Sequence, residues 1–206
     1  MSESSVNKGE RATADVVRLD RRKLLIRHLR GDLQAFPELM QIYGSTVFSC
    51  IVRSGIPANV RDDVFQEIFI KIHQRADTYH AERPLEPWLF AIMANTVRSH
   101  YRKARVREIV QHEADSAHHP EPLTGADFAE ARETSAWLSD AIQKLPFQQR
   151  EVIILCCIKE LSQKDVAKIL DMPVNTVKTN LSRGRAALAK ALSRRRQTLR
   201  REVGHE

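Results

Sequence analysis

Cysteine, glycine and proline are all scarce in this 206-residue chain, and no long apolar run is present. Three cysteines, with Cys156 adjacent to Cys157 and Cys50 far away, cannot build the disulfide framework of a small secreted domain, and their spacing fits no zinc site. Cys156 and Cys157, inside the run Val152 to Ile158, are expected as buried thiols acting as small hydrophobes, and a reduced, cytosolic setting follows. The longest apolar stretch, Val152 to Ile158, falls far short of the ~20 residues a membrane-spanning helix needs. The polar start from Met1 to Glu10 lacks a hydrophobic signal core, so a soluble protein with no membrane insertion of its own is expected. Seven Gly and eight Pro, with no Asn-Gly or Asp-Gly pair, give no hairpin signal. Apolar residues recur at three and four rather than two, which predicts an all-α chain. No nucleophile, phosphate loop or metal-ligand spacing stands out, so the reading is of a non-enzyme with no cofactor and no metal.

What is abundant is charge, and its placement is uneven. The formal net charge is +7, from 33 Lys plus Arg against 26 Asp plus Glu. Between Val174 and Arg201 lie nine basic residues and no acidic one, so the rest of the chain sums to −2. Positive charge gathered at one end suits a polyanion partner there.

Two helical blocks flank a segment of different character. In the first, 23–107, Leu24, Leu25 and Leu29, then Phe36, Leu39, Met40, Tyr43, Val47 and Ile51, mark two helices, the second closed by Gly55-Ile56-Pro57. A third helix follows Val60, with Val64, Phe65, Ile68, Phe69 and Ile72 inward and Asp62, Asp63, Gln66 and Glu67 outward. After a loop at 76–86, Pro87 is expected as the first residue of a fourth helix, whose inner face is Trp88, Leu89, Ile92, Met93 and Val97. Segment 108–133 carries −6, lacks a periodic apolar face and reads as a flexible acidic linker; its His112, His118 and His119 are expected to be solvated. The second block is 134–196. Residues 1–22 form an N-terminal extension without assigned role, and 197–206 a basic tail.

The sharpest local signal lies between Leu161 and Thr179. Ser162 followed by Asp165 is a capping-box-like helix start, Val166, Ile169 and Leu170 supply an inner face, and Ala167 is small enough to be crossed closely. Asp171-Met172-Pro173 ends that helix and opens another, giving a helix-turn-helix. In the second helix Val177 and Leu181 face inward. Asn175, Thr176, Lys178, Thr179, Ser182, Arg183 and Arg185 are left for a major groove, where Arg reads guanine and shorter polar side chains read or fix neighbouring groups. Gly184, placed within this helix at a cost of about 1 kcal/mol relative to Ala, has no explanation in the local pattern.

Four segments together resemble bacterial sigma factors of the extracytoplasmic-function (ECF) group, over roughly residues 23–193: Asp62 to Ile72, Pro87 to Asn95, Leu145 to Val152, and Thr176 to Arg185. The resemblance implies an alternative-type sigma factor that binds core RNA polymerase and directs recognition of the promoter −35 and −10 elements and DNA melting. Block 23–107 would be sigma region 2 and block 134–196 sigma region 4. It further implies that Asp62, Asp63, Gln66 and Glu67 dock on the clamp helices of the largest polymerase subunit, with the flap as a further contact. The loop at 76–86 would hold a flipped base, with Tyr79 and His80 as stacking and hydrogen-bonding groups. Asn95, Arg98, Arg102 and Arg105, at i, i+3, i+7 and i+10, would form a strip for the phosphates of the opened strand. Pro87 and Leu85 depart from the residues usual in the family near that pocket. The acidic linker would enter a channel built for RNA. An anti-sigma partner is implied too, and with it a cytoplasmic protein that such a partner can hold at the inner membrane. The rival reading is a stand-alone helix-turn-helix regulator that binds duplex DNA without polymerase and leaves the Asp63, Gln66 and Glu67 surface idle.

Overall fold

The computed structural model describes residues 21–110 and 129–203, and every regular element among them is helical. The N-terminal unit has α1, helical over 21–29, then α2 (Ala35–Arg53), α3 (Arg61–Gln74) and α4 (Leu85–Val110). The C-terminal unit has α5 (Ala129–Gln143), α6 (Phe147–Ile153), α7 (Gln163–Leu170) and α8 (Val174–Val203). None of these helices is long and apolar enough to cross a membrane.

The three-and-four spacing places the core as expected. Leu25, Leu39, Val47, Ile51, Val64, Ile68, Ile72 and Leu89 are fully buried in the first unit, and Val152, Leu155, Val166 and Val177 in the second. The two units do not stand apart: their buried side chains form one continuous cluster, from Leu24 to Leu181. Burying one face per helix supplies the main stabilisation of short amphipathic helices, whose propensity alone is marginal.

Four boundaries differ from the sequence reading. Helix α4 begins at Leu85, which makes Pro87 its third residue instead of its first; the early amides of a helix have no intrahelical acceptor, so a missing N–H is tolerated there. The Tyr43 hydroxyl donates to Glu86 at 2.9 Å and fixes this start against α2. Helix reaches into both ends of the expected linker, to Val110 on one side and from Ala129 on the other; His112, His118 and His119 lie outside the described residues. Part of the expected basic tail is helical, because α8 continues to Val203.

The cysteines need a larger correction. Only Cys50 is buried; Cys156 is half-buried and Cys157 is exposed. Helix α6 loosens into a π-helical turn over Ile154–Ile158, sealed by the Lys159 amide donating to the Ile154 carbonyl at 3.1 Å. The extra residue per turn rotates the apolar run, so Ile154 and Leu155 keep the core while Cys157 swings outward. Burial pushes the Cys50 thiol up to about 11, and the Cys156 thiol likewise to about 11.

Candidate nucleic-acid interface

The helix-turn-helix forms as its residues dictate. The Ser162 hydroxyl accepts from the Asp165 amide at 3.1 Å and donates to the Asp165 carboxylate at 2.6 Å, capping α7. Asp171 ends the helix in the left-handed region, at φ 48°, and the Met172 amide returns to the Ala167 carbonyl at 3.0 Å. Asp tolerates that conformation because its short polar side chain relieves part of the penalty. Pro173 then opens α8, its carbonyl accepting from the Thr176 and Val177 amides.

On α8, Val177 and Leu181 are buried while Asn175, Lys178, Thr179, Ser182, Arg183 and Arg185 are exposed along one side; Thr176 is half-buried. Gly184 now has its reason. A Cβ there would sit 2.8 Å from Ile153 Cγ1 and 3.1 Å from Cδ1, so the missing side chain lets α8 cross α6 closely and fixes the angle at which the polar side projects. Arg185 is partly turned aside, its guanidinium 3.5 Å from the Cys157 sulfur. Farther along, Arg195 pairs with Glu133 at 2.6 Å and lies 5.1 Å from the Trp137 ring centre, so this basic residue braces α8 on α5.

In the N-terminal unit, Asp62, Asp63 and Gln66 form an exposed side of α3. Glu67 stands apart from them. Its carboxylate takes Lys71 Nζ at 2.6 Å and His100 Nε2 at 2.7 Å, tying α3 to α4. Burial alone would push this carboxyl up, but the hydrogen bonds from Lys71 and His100 outweigh it and hold it below the usual glutamate range. A carboxyl depressed on folding stabilises the fold above its ordinary pKa, and that contribution is lost as pH falls through the depressed value. Acidification below the usual glutamate range is therefore expected to loosen α3 from α4. Melting temperatures measured from pH 7 downward should fall less steeply in Glu67→Gln than in the native chain; identical slopes would dismiss the tie.

The loop before α4 is organised around aromatics. Tyr79 is buried, with its hydroxyl donating to the Arg83 carbonyl at 2.7 Å and its ring 5.5 Å from that of Trp88. Trp88 Nε1 donates to the Thr78 hydroxyl at 3.3 Å. Tyr79 is thus a brace of the loop, and its face is not open for stacking as the sequence suggested; His80 is exposed. Along α4, Asn95 and Arg102 are exposed, and Arg105 lies on the helix with its side chain outside the described residues. Arg98 is engaged elsewhere, by Glu151 at 2.6 Å and the Leu170 carbonyl at 2.7 Å, both in the C-terminal unit.

Comparison with known proteins gives this arrangement its family. The pattern described as Sigma-70 region 2 matches residues 39–107, and that described as Sigma-70, region 4 matches 135–188. ECF RNA polymerase sigma factor SigW of Bacillus subtilis is 31% identical over 171 residues, covering 79% of this chain and 91% of its own. The chain belongs to the ECF RNA polymerase sigma factors. Among solved structures, CnrH of Cupriavidus metallidurans in complex with the cytosolic domain of CnrY superposes with TM-score 0.61 at 28% identity, over 84% of this chain and 96% of that one. The sigma factor RpoE of Bartonella quintana with the anti-sigma factor NepR gives 0.66 at 23% identity, over 78% and 98%, a likeness of fold. The function is that of an alternative sigma factor directing promoter recognition, which displaces the reading of a stand-alone regulator.

Residue spacing overlooked one group in this sigma factor: Arg150, Glu151, Ser54 and Tyr101. Arg150 and Glu151 directly precede the apolar run Val152 to Ile158, and a charged pair abutting that run was the available signal.

Proposed function

We propose that this sigma factor docks on core RNA polymerase through the outer side of α3, with Asp62, Asp63 and Gln66 as contacts and Glu67 holding that helix in place. The −35 element is read as duplex by α8, through Asn175, Lys178, Thr179, Ser182 and Arg183, with Thr176 and Arg185 at the margins. The −10 element is opened by the 76–86 loop and α4, where His80 and the loop backbone face the displaced base and Asn95, Arg98, Arg102 and Arg105 follow the strand. An anti-sigma protein holding both units is the regulatory partner, in keeping with the RpoE and NepR complex, and the cytoplasm is the place of work. The chain itself makes and breaks no covalent bond in this scheme.

The observation that supports this reading most is the capped helix-turn-helix whose second helix leaves a continuous polar and basic side exposed. The test is reconstitution with core polymerase, mapping of the transcripts, and binding of the mapped −35 duplex. Arg183→Ala should weaken that duplex by about 1 to 3 kcal/mol if the guanidinium is bidentate to a base. Unchanged affinity and unchanged sequence preference would strike Arg183 from the list.

A further inference from the structure

Helix α8 is longer than the recognition element with which it begins. The match to Sigma-70, region 4 ends at residue 188, yet the helix runs on to Val203. Its 30 residues make a rod of about 45 Å at about 1.5 Å per residue, and roughly the last 22 Å lies beyond the matched region.

The charge pattern does not change where the match ends. At about 100° per residue, Arg183, Lys190 and Arg194 fall in one row along the helix, and Lys178, Arg185 and Arg196 in a second row about 150° round from the first. Both rows lie on the exposed side, away from buried Val177, Leu181 and Gly184. Between them Ser182, Ala186 and Ser193 are exposed and short, so no tall side chain stands between the rows. No acidic residue occurs from Val174 to Arg201, and Lys190, Arg194 and Arg196 make no ion pair with any described residue. Arg195 points the other way, to Glu133 and Trp137, and ties this part of α8 to α5. The two rows are thus held on a helix anchored in the fold, with their charge unused.

Two basic rows on one rod match a groove with two phosphate walls. The major groove is about 12 Å wide and a helix with its side chains about 10 to 12 Å across, so a helix lying along the groove meets phosphates on each flank. End-on insertion would engage only the first turns and leave Lys190, Arg194 and Arg196 facing water. An acidic protein face would meet one row, since a flat partner does not reach both flanks of a helix at once.

We propose that α8 beyond residue 188 is a further duplex-binding element, in which Lys190 and Arg194 bind phosphates of one groove wall and Arg196 those of the other. That the duplex is promoter DNA flanking the −35 element rests on the sigma-factor reading above; that this part of the helix holds a duplex rests on its charge pattern. Contacts of this kind fix register and add affinity, and they carry no base preference.

The test compares the full-length chain with Lys190→Gln/Arg194→Gln/Arg196→Gln, because Gln keeps helix propensity while removing the charge. Binding is measured from ~50 to ~200 mM salt on a duplex carrying the mapped −35 element and on a scrambled duplex of the same length. Each phosphate contact contributes about 0.9 to the slope of log affinity against log salt, so the triple variant should lose about 2 to 3 from that slope. Its affinity should fall by the same factor on both duplexes. Lys23→Gln/Arg30→Gln/Arg75→Gln, at exposed positions of the N-terminal unit, changes the net charge equally and should lose less than about 1. An unchanged slope in the first triple, or equal losses in the two, would overturn the proposal. Intact duplex binding with weakened binding to core polymerase would overturn it too, and would give these residues to an acidic protein face. Should circular dichroism show the first triple losing helix, Arg194→Gln alone carries the test, with an expected loss of about 1. If the native chain prefers neither duplex and starts no transcription with core polymerase, the sigma-factor reading falls, and the slope on the scrambled duplex still decides the role of the extension.

Discussion

Gly184→Val is expected to cost the C-terminal unit about 3 kcal/mol or more and to abolish specific −35 binding with it. Even a single Cβ at this position lies 2.8 Å from Ile153 Cγ1, inside van der Waals contact, and Ile153 is only 2% exposed. It has no solvent side toward which to move. Gly184→Ala separates two opposing effects. Ala gains about 1 kcal/mol of helix propensity over Gly, whereas overpacking a filled core costs about 1 to 3 kcal/mol. The overlap is with a branched side chain on a neighbouring helix, so the loss should prevail and Gly184→Ala should lower stability. Val adds two γ-carbons to the same gap and loses χ1 freedom in the helix. For a unit of this size each kcal/mol corresponds to roughly 4 to 8 °C in melting temperature, readily read by circular dichroism. Repeating Gly184→Ala in an Ile153→Ala background should reverse the sign, because the space is then vacant and only propensity remains. A Gly184→Ala chain as stable as the native one would show that α6 and α8 can part freely.

That prediction could not have been made from the local pattern, and the reason is general. The helices themselves were legible: Val64, Ile68 and Ile72 repeat at four, and Ser162 with Asp165 announces α7 before any fold is known. Both depend on neighbours within one or two turns. Gly184 depends on Ile153, and Arg98 on Glu151 in the other unit, and no periodicity within one helix reports a partner so distant. The packing of Tyr79 was hidden for a related reason. An aromatic in a polar loop looks available for stacking until Trp88 and the Arg83 carbonyl are seen to enclose it. Cys157 was misread because a short apolar run was taken as buried throughout, and the π turn shifts its phase. Asp62, Asp63, Asn175, Lys178 and Ser182 were legible because being exposed is what their side chains favour.

Reversing Asp62 and Asp63 together to Lys is expected to weaken binding to core polymerase at least about 100-fold, close to 3 kcal/mol. Both side chains are exposed in the first turn of α3, and neither makes an ion pair with any described residue. They therefore project charge that the fold itself does not consume. Two effects have to be told apart. Acidic residues at a helix N-terminus favour the helix by about 0.3 to 1 kcal/mol each, and Lys there does the opposite, so the double reversal also strains α3. Asp62→Asn with Asp63→Asn removes the charge while leaving polar side chains at the helix start, and should show a smaller part of the binding loss with little change in melting temperature. The salt dependence separates them further. A docking contribution made by exposed charges shrinks as the Debye length falls from ~10 Å at 0.1 M toward ~3 Å at 1 M salt, so native and reversed chains should converge in affinity as salt is raised. In the proposed scheme the −35 duplex is bound by α8, in the other unit, and its affinity serves as the control for folding. Core affinity undiminished in the reversed chain, with melting and duplex binding intact, would move the polymerase contact off α3 and leave that acidic face without a partner.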